Sequence, residues 1–319
     1  VTYDYVSTND GLSRLVSSLR ASGCTRLAID VEGENNLHSY GIHVALIQLF
    51  DGMRGWIVDP LIIRDRALLA ALLEDVPWTL VWFDAANDLL SFRHALDLRP
   101  RPILDLAVAA RMLGMTGGLQ SLTLAEESAS AKDRFQKSNW MRRPISRAML
   151  DYAITDVIHL LELADTLMAE IGKRNLGVQF QEKNLQQQDA ERIWTPLSNF
   201  TRIPGFNRMK REDRHLARVL WYAREYYGRQ KDLPPGNVAS KQDMAQVISR
   251  GFRDPEGIAR AVNEGRKKNL IEPAGFAAQW REAERDVARD EARAASVTSS
   301  ESFPQGTHPQ GARRSRGGR

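Results

Sequence analysis

The sequence predicts an α/β fold, a mixed sheet flanked by helices, followed by a small all-α domain and a disordered C-terminal tail. Three observations carry this. Apolar runs of strand length alternate with turn signals up to Phe83, helical periodicity dominates from Asn87, and beyond Ser296 the chain is Ser, Gly, Pro and Arg. The first two describe a sheet domain over residues 1–175, and the third a composition too polar to bury a core.

Arg26 to Gly33 reads as a strand with Leu27, Ile29 and Val31 on one face. His43–Phe50 is a second strand and Gly55–Asp59 a third, joined by the hairpin chemistry of Asp51-Gly52. A helix from Leu61 to Leu73 leads to a fourth strand over Thr79–Phe83. Helices follow at 87–97, at 103–113 after Pro102, at 119–128, and from about Ile145 to Ile171, with Gly114–Gly118 as the clearest break. Residues 176–203 are Gln-rich and polar, and are expected to be a linker. A helical domain covers 204–270: Leu216, Val219, Leu220 and Ala223 share a face, Leu233-Pro-Pro-Gly236 interrupts, and Ser240 with Asp243 forms a capping box. A charged helix occupies 271–295 and the basic tail 296–319.

Composition limits the function. The chain has 319 residues, 43% hydrophobic and 26% charged, enough for about two domains. No apolar run approaches the ~18 residues of a membrane span, and no basic-then-apolar leader opens the chain. The single cysteine, Cys24, excludes an internal disulfide and a cysteine-rich zinc site, and the six histidines lack metal-ligand spacing. A cytoplasmic location is the expectation. The net charge of +4 is unevenly divided: residues 1–200 carry 20 Lys+Arg against 25 Asp+Glu, residues 201–300 carry 20 against 14, and residues 301–319 carry 4 against 1. An acidic front precedes a basic back.

Three short strings carry the chemistry. In Asp30-Val31-Glu32 the i, i+2 spacing puts both carboxylates on one face of a strand. Asn87-Asp88 stands where the chain enters a helix after the fourth strand. Tyr152 and Asp156, at i, i+4, share one helix face. Alone, each has an ordinary reading: a solvated strand edge, a helix cap, a core aromatic. Were they to converge, each carboxylate pair at ~4 Å would repel by about 4 kcal/mol at an effective dielectric of about 20. Only protons or cations relieve such a cluster, and all-oxygen ligands favour Mg²⁺ or Mn²⁺. Two such ions about 3.5–4 Å apart clamp both the attacking and leaving oxygens of a phosphodiester.

The strings occur in order among longer ones: DVEG and LIQL, LVWFDAANDL, ILDLAVAARMLG, SNWMRRPIS and LDYAITDVIHLLEL, across residues 27–163. In these the chain resembles the ribonuclease D branch of the DEDD 3′–5′ exonucleases, whose catalytic domain is a ribonuclease H-like sheet. The resemblance implies that Asp30, Glu32, Asp88 and Asp156 hold two divalent cations, Mg²⁺ or Mn²⁺. Asp30 would touch both, Glu32 and Asp156 the ion that binds the attacking water, and Asp88 the second ion through water. The Tyr152 hydroxyl would orient that water. The sister subgroup has a histidine five residues before the last aspartate; Asp151 stands there, so the tyrosine subtype is implied. Two positions depart from the family pattern. Phe83-Asp84 stands where a histidine commonly precedes the second motif, and Asn139 replaces the usual aspartate before Trp140.

Residues 132–147 hold six Lys and Arg against Asp133 alone. Lys137, Arg142 and Arg143 are candidate phosphate contacts, with a solvated loop as the alternative; Trp140 is expected to pack rather than stack on a base. Residues 204–270 resemble the helical HRDC domain that follows the nuclease in ribonuclease D and also occurs in RecQ-type helicases. With 49 residues after position 270, one such domain is expected rather than two. The expected function is therefore trimming of RNA with a free 3′ end, such as tRNA or other stable RNA precursors, releasing nucleoside 5′-monophosphates. The alternatives are a 3′–5′ DNA exonuclease and a non-catalytic RNA-binding protein on the same fold.

Overall fold

The computed structural model describes residues 2–122, 135, 137–264 and 270–300. A six-stranded sheet has the order β1-β4-β3-β2-β5-β6. β1 (Tyr3–Val6) was not evident in the sequence: it is four residues long and pairs in parallel with β4, a partner some fifty residues on, so no local pattern announces it. The amphipathic helix α1 (Asn9–Ala21) is capped by Thr8, whose hydroxyl accepts from Gly11 N. β2 (Arg26–Asn35), β3 (Ile42–Phe50) and β4 (Gly55–Val58) form the expected antiparallel meander, with the register slipping at Glu32/Gly33.

α2 (Arg66–Leu73) starts five residues later than expected, because the Asp65 carboxylate caps it by accepting from Leu68 N. β5 (Thr79–Trp82) is parallel to β2, and α3 (Ala86–Ser91) continues into a π-helical turn over Phe92–Leu96. The helix expected at 103–113 divides into β6 (Ile103–Asp105), paired with β5, and α4 (Leu106–Met112). Asp105 makes the division: its side chain caps α4 by accepting from Ala107 N. α5 spans Leu119–Leu122, and the rest of the helix expected to 128 lies outside the described residues. The long helix expected to Ile171 breaks at His159 into α6 (Arg147–Ile158) and α7 (Leu160–Lys173).

Strand residues alternate between two cores. Leu27, Ile29 and Leu49 pack with Leu12, Leu15 and Leu69 on one face, and Ala28, Leu46 and Phe50 pack with Ala153, Val157 and Leu167 on the other. The expected linker is a correction. α8 (Gly177–Asp189) lies along the edge strand β6: Asn184 accepts from Asp105 N at 2.8 Å and donates to Ile103 O at 2.7 Å, and Gln188 Oε1 accepts from Ile103 N at 3.1 Å. Its amide side chains complete the edge's backbone hydrogen bonds, as water or another strand would otherwise have to.

The chain divides into two units, Val1–Asn199 with Gly228–Val238, and Phe200–Tyr227 with Ala239–Arg319. Along the second half run α9 (Arg211–Lys231), α10 (Pro235–Val238), α11 (Lys241–Ser249), α12 (Pro255–Asn263) and α13 (Pro273–Ser300). The Ser240/Asp243 capping box forms as expected. α13, expected as a separate charged helix, packs on α12 and buries Phe276, Trp280 and Val287. Its backbone stays helical to Ser300, and the tail expected to be disordered lies otherwise outside the described residues. Within the second unit many cations face acids: Arg218 with Asp290, Arg250 with Glu264, Arg253 with Asp213, Arg260 with Glu256. These acids are already within the count of 14 against 20, so the excess of Lys and Arg over residues 201–300 stands. No helix among the described residues is long and apolar enough to cross a membrane.

Candidate active site

β2 carries Asp30 and Glu32 on one face, opposite Gln48 and Leu46 of β3, while Val31 packs into the other core. The chain leaves β5 through Asp84, in left-handed conformation at φ 61°, and enters α3 with Asp88 in its first turn. Two buried carboxylate oxygens shape that entry: Asp105 accepts from Asp84 N at 2.9 Å and from Ala85 N at 3.2 Å. Trp82 donates its indole N–H to Asp88 at 3.0 Å. Helix α6 lies on β2, β3 and β4, burying Ala153, Ile154 and Val157 and leaving Tyr152 and Asp156 half-buried.

The electrostatics show that the carboxylates converge. Each residue of the quartet keeps some exposed surface, yet burial is the largest influence on the three whose shift is resolved. Burial, then Asp88, Asp156 and Glu32 in that order, push Asp30 well above the usual carboxylate range, against a hydrogen bond from the Val31 backbone. Glu32 is raised well above its ordinary value by burial, Asp156 and Asp88. Asp88 is pushed up to about 7 by burial, opposed by the Trp82 hydrogen bond and reinforced by Asp84 and Asp105. Among the described residues, no arginine or lysine is one of these influences on Asp30, Glu32 and Asp88. Among the described residues no three acidic, histidine or cysteine side chains are closed into a metal-ligand set. The donors nevertheless fit a hard divalent cation: they are all oxygen, and they repel one another.

Tyr152 is braced by two aromatic rings, Phe135 at 5.1 Å and Trp140 at 6.4 Å between centroids. Trp140 packs, as expected, at 2% exposure. Arg143 requires a correction. Its Nε and Nη2 grip the buried Asp59, Nη2 also donates to Ala45 O at 2.8 Å, and Nη1 donates to Trp140 O at 2.6 Å and Arg142 O at 2.9 Å. All five guanidinium hydrogens are committed, so none is left for a phosphate. Arg143 instead ties the segment carrying Trp140 to the sheet. Lys137 and Arg142 are exposed.

The two departures from the family pattern prove local. Asn139 accepts from Met141 N at 3.0 Å in a turn, and Asp84 is exposed with Arg111 at 3.5 Å. Sequence reasoning missed Asp59, Asp105 and Gln48. All three are fully buried polar residues within apolar runs, the one signal that could have flagged them.

A family model described as a 3′–5′ exonuclease matches residues 3–172. The chain belongs to the 3′–5′ exonuclease family. This exonuclease-family chain is 29% identical over 243 residues to ribonuclease D of Xanthomonas oryzae pv. oryzae, an alignment covering 74% of this chain and 65% of that protein. It therefore spans just under two thirds of that relative. Its fold is similar to the crystal structure of Escherichia coli RNase D, "an exoribonuclease involved in structured RNA processing", with a TM-score of 0.69 at 23% identity, covering 89% of this chain and 75% of that one. The catalytic core of RRP6 from Trypanosoma brucei matches with a TM-score of 0.68 at 21% identity, over 88% and 79% of the two chains. At these identities the two structures establish the exonuclease fold alone.

Proposed function

We propose that this chain is a divalent-cation-dependent 3′–5′ exoribonuclease. The observation that carries the reading is the convergence of Asp30, Glu32, Asp88 and Asp156, whose mutual repulsion adds to burial in raising Asp30 and Glu32. Relatives named ribonuclease D support RNA as the substrate. The four carboxylates hold two ions, Mg²⁺ or Mn²⁺, which when bound supply Lewis acidity and an activated water. Asp30 would serve both ions, Glu32 and Asp156 the one beside the attacking water, and Asp88 the one beside the leaving group.

The Tyr152 hydroxyl, held by the Phe135 and Trp140 rings, points that water at the terminal phosphorus. Water attack there releases the 3′-oxygen of the preceding nucleotide and a nucleoside 5′-monophosphate. Exposed Lys137 and Arg142 offset the repulsion between the acidic cluster and RNA phosphates. The second unit, similar to an HRDC domain, holds the RNA further from its end. Such trimming of tRNA and other stable RNA precursors belongs in the cytoplasm. The test is a matched pair of RNA and DNA oligonucleotides, 3′-hydroxyl or 3′-blocked, with Mg²⁺, Mn²⁺ or EDTA. Stepwise shortening of free-ended RNA with either metal, and none in EDTA, is expected. Preferential digestion of DNA overturns the substrate, and cleavage of blocked ends overturns the polarity.

A further inference from the structure

Gln48 is 0% exposed, and neither its amide nitrogen nor its carbonyl oxygen has a hydrogen-bond partner. Among the other described residues, a buried side chain leaves at most a single polar atom unbonded. Burying a whole carboxamide with nothing to bond costs free energy, and an apolar residue of similar size would avoid it. Position 48 lies within the run of buried residues from Val44 to Phe50 on β3, where apolar residues are the rule.

Its neighbours identify the missing partner. On β3, Leu46 and Phe50 flank Gln48 on the same face. Across the ladders it stands opposite Ile57 on β4 and Asp30 on β2. Three of these four are apolar, so Asp30 is its one polar neighbour within the sheet, about 4.5–5.5 Å away between Cβ atoms for directly opposed residues. Above this face, α6 contributes buried Ala153, Ile154 and Val157, with Tyr152 and Asp156 beside them.

We propose that the Gln48 carboxamide is a positioning group for Asp30: its N–H donates to the Asp30 carboxylate when a divalent cation occupies the cluster, and its carbonyl oxygen accepts from ordered water in the same site. Outer partners of this kind fix the orientation of metal-binding carboxylates. The assignment rests on the cation reading above.

The experiment uses the full chain as wild type, Gln48→Met and Gln48→Leu. Mn²⁺ affinity is read by titration calorimetry and melting temperature is read in EDTA, neither requiring turnover. Both variants are expected to melt in EDTA at the wild-type temperature or above it, and to bind Mn²⁺ about 10–100-fold more weakly. Unchanged Mn²⁺ affinity in variants of a wild type that binds would overturn the Gln48 assignment and leave the cation reading standing. A wild type that takes up no Mn²⁺ would end both. Lower melting of both variants in EDTA would place the amide's bonds in the cation-free fold, and overturns the assignment as well.

Discussion

Two groups of carboxylates sit in the same sheet domain, and they are treated in opposite ways. Asp59 and Asp105 are fully buried, and each is surrounded by donors. Asp59 receives Arg143, the Tyr5 hydroxyl and Leu61 N, and Asp105 receives three backbone N–H groups and Gln187. Asp30 and Glu32 instead face Asp88 and Asp156, like charges that raise both. A buried anion is stable where the fold supplies enough hydrogen bonds, whereas like charges brought together are relieved by protons or a cation. The first group builds the domain; the second, in the proposed function, is kept for a cation.

The largest effect that can break this contrast is on activity. Asp30→Asn or Asp156→Asn is expected to lower cation-dependent RNA shortening by on the order of 10³-fold or more, because several kcal/mol of transition-state stabilisation depend on the cations. RNA binding by either variant should persist, and single-turnover assays with filter binding check both. The opposite result belongs to the satisfied group. Arg143→Ala leaves Asp59 buried without its cation, and is expected to cost about 3–5 kcal/mol of stability, read in denaturant unfolding. Unaltered stability would mean that Arg143 is free to serve RNA after all.

Tyr152→Phe sharpens the contrast within the site. Hydrolysis should slow by roughly 10²-fold while Mn²⁺ affinity is kept, since only a water-orienting hydroxyl is lost. Calorimetry showing weakened Mn²⁺ binding would contradict that role. The smallest effect is on pH dependence. Asp88 binds a proton up to about pH 7 in the fold, whereas in the unfolded chain it releases it near pH 4, about the ordinary aspartate value. The folded state therefore holds the extra proton between those values. The resulting stabilisation is full below the unfolded value and is lost as pH rises through about 7. In EDTA the melting temperature should fall as pH rises across this window, Asp88→Asn should flatten the fall, and Mn²⁺ should reverse it. A melting temperature that rises instead would show that Asp88 is already paired.

Much of the site was legible in residues alone, because its elements are local. Alternating apolar residues set β2 and therefore the shared face of Asp30 and Glu32, and the i, i+4 spacing of Tyr152 and Asp156 follows from helix geometry. Polar composition misled where partners are remote. The glutamines and asparagine of α8 resemble linker residues until β6 is beside them, and β6 itself, three residues long, exists through its pairing with β5.

Arg143 makes the same point about charge. In sequence it belongs to a basic run, and in the fold Asp59, more than eighty positions earlier, takes its guanidinium. The sequence by itself determined which residues could hold a cation, since periodicity and residue chemistry are properties of neighbouring positions. Which acids are met by donors of the protein, and which are set against other acids, only the tertiary structure decided. That choice depends on hydrogen-bond donors brought together from distant segments, and no local pattern encodes it.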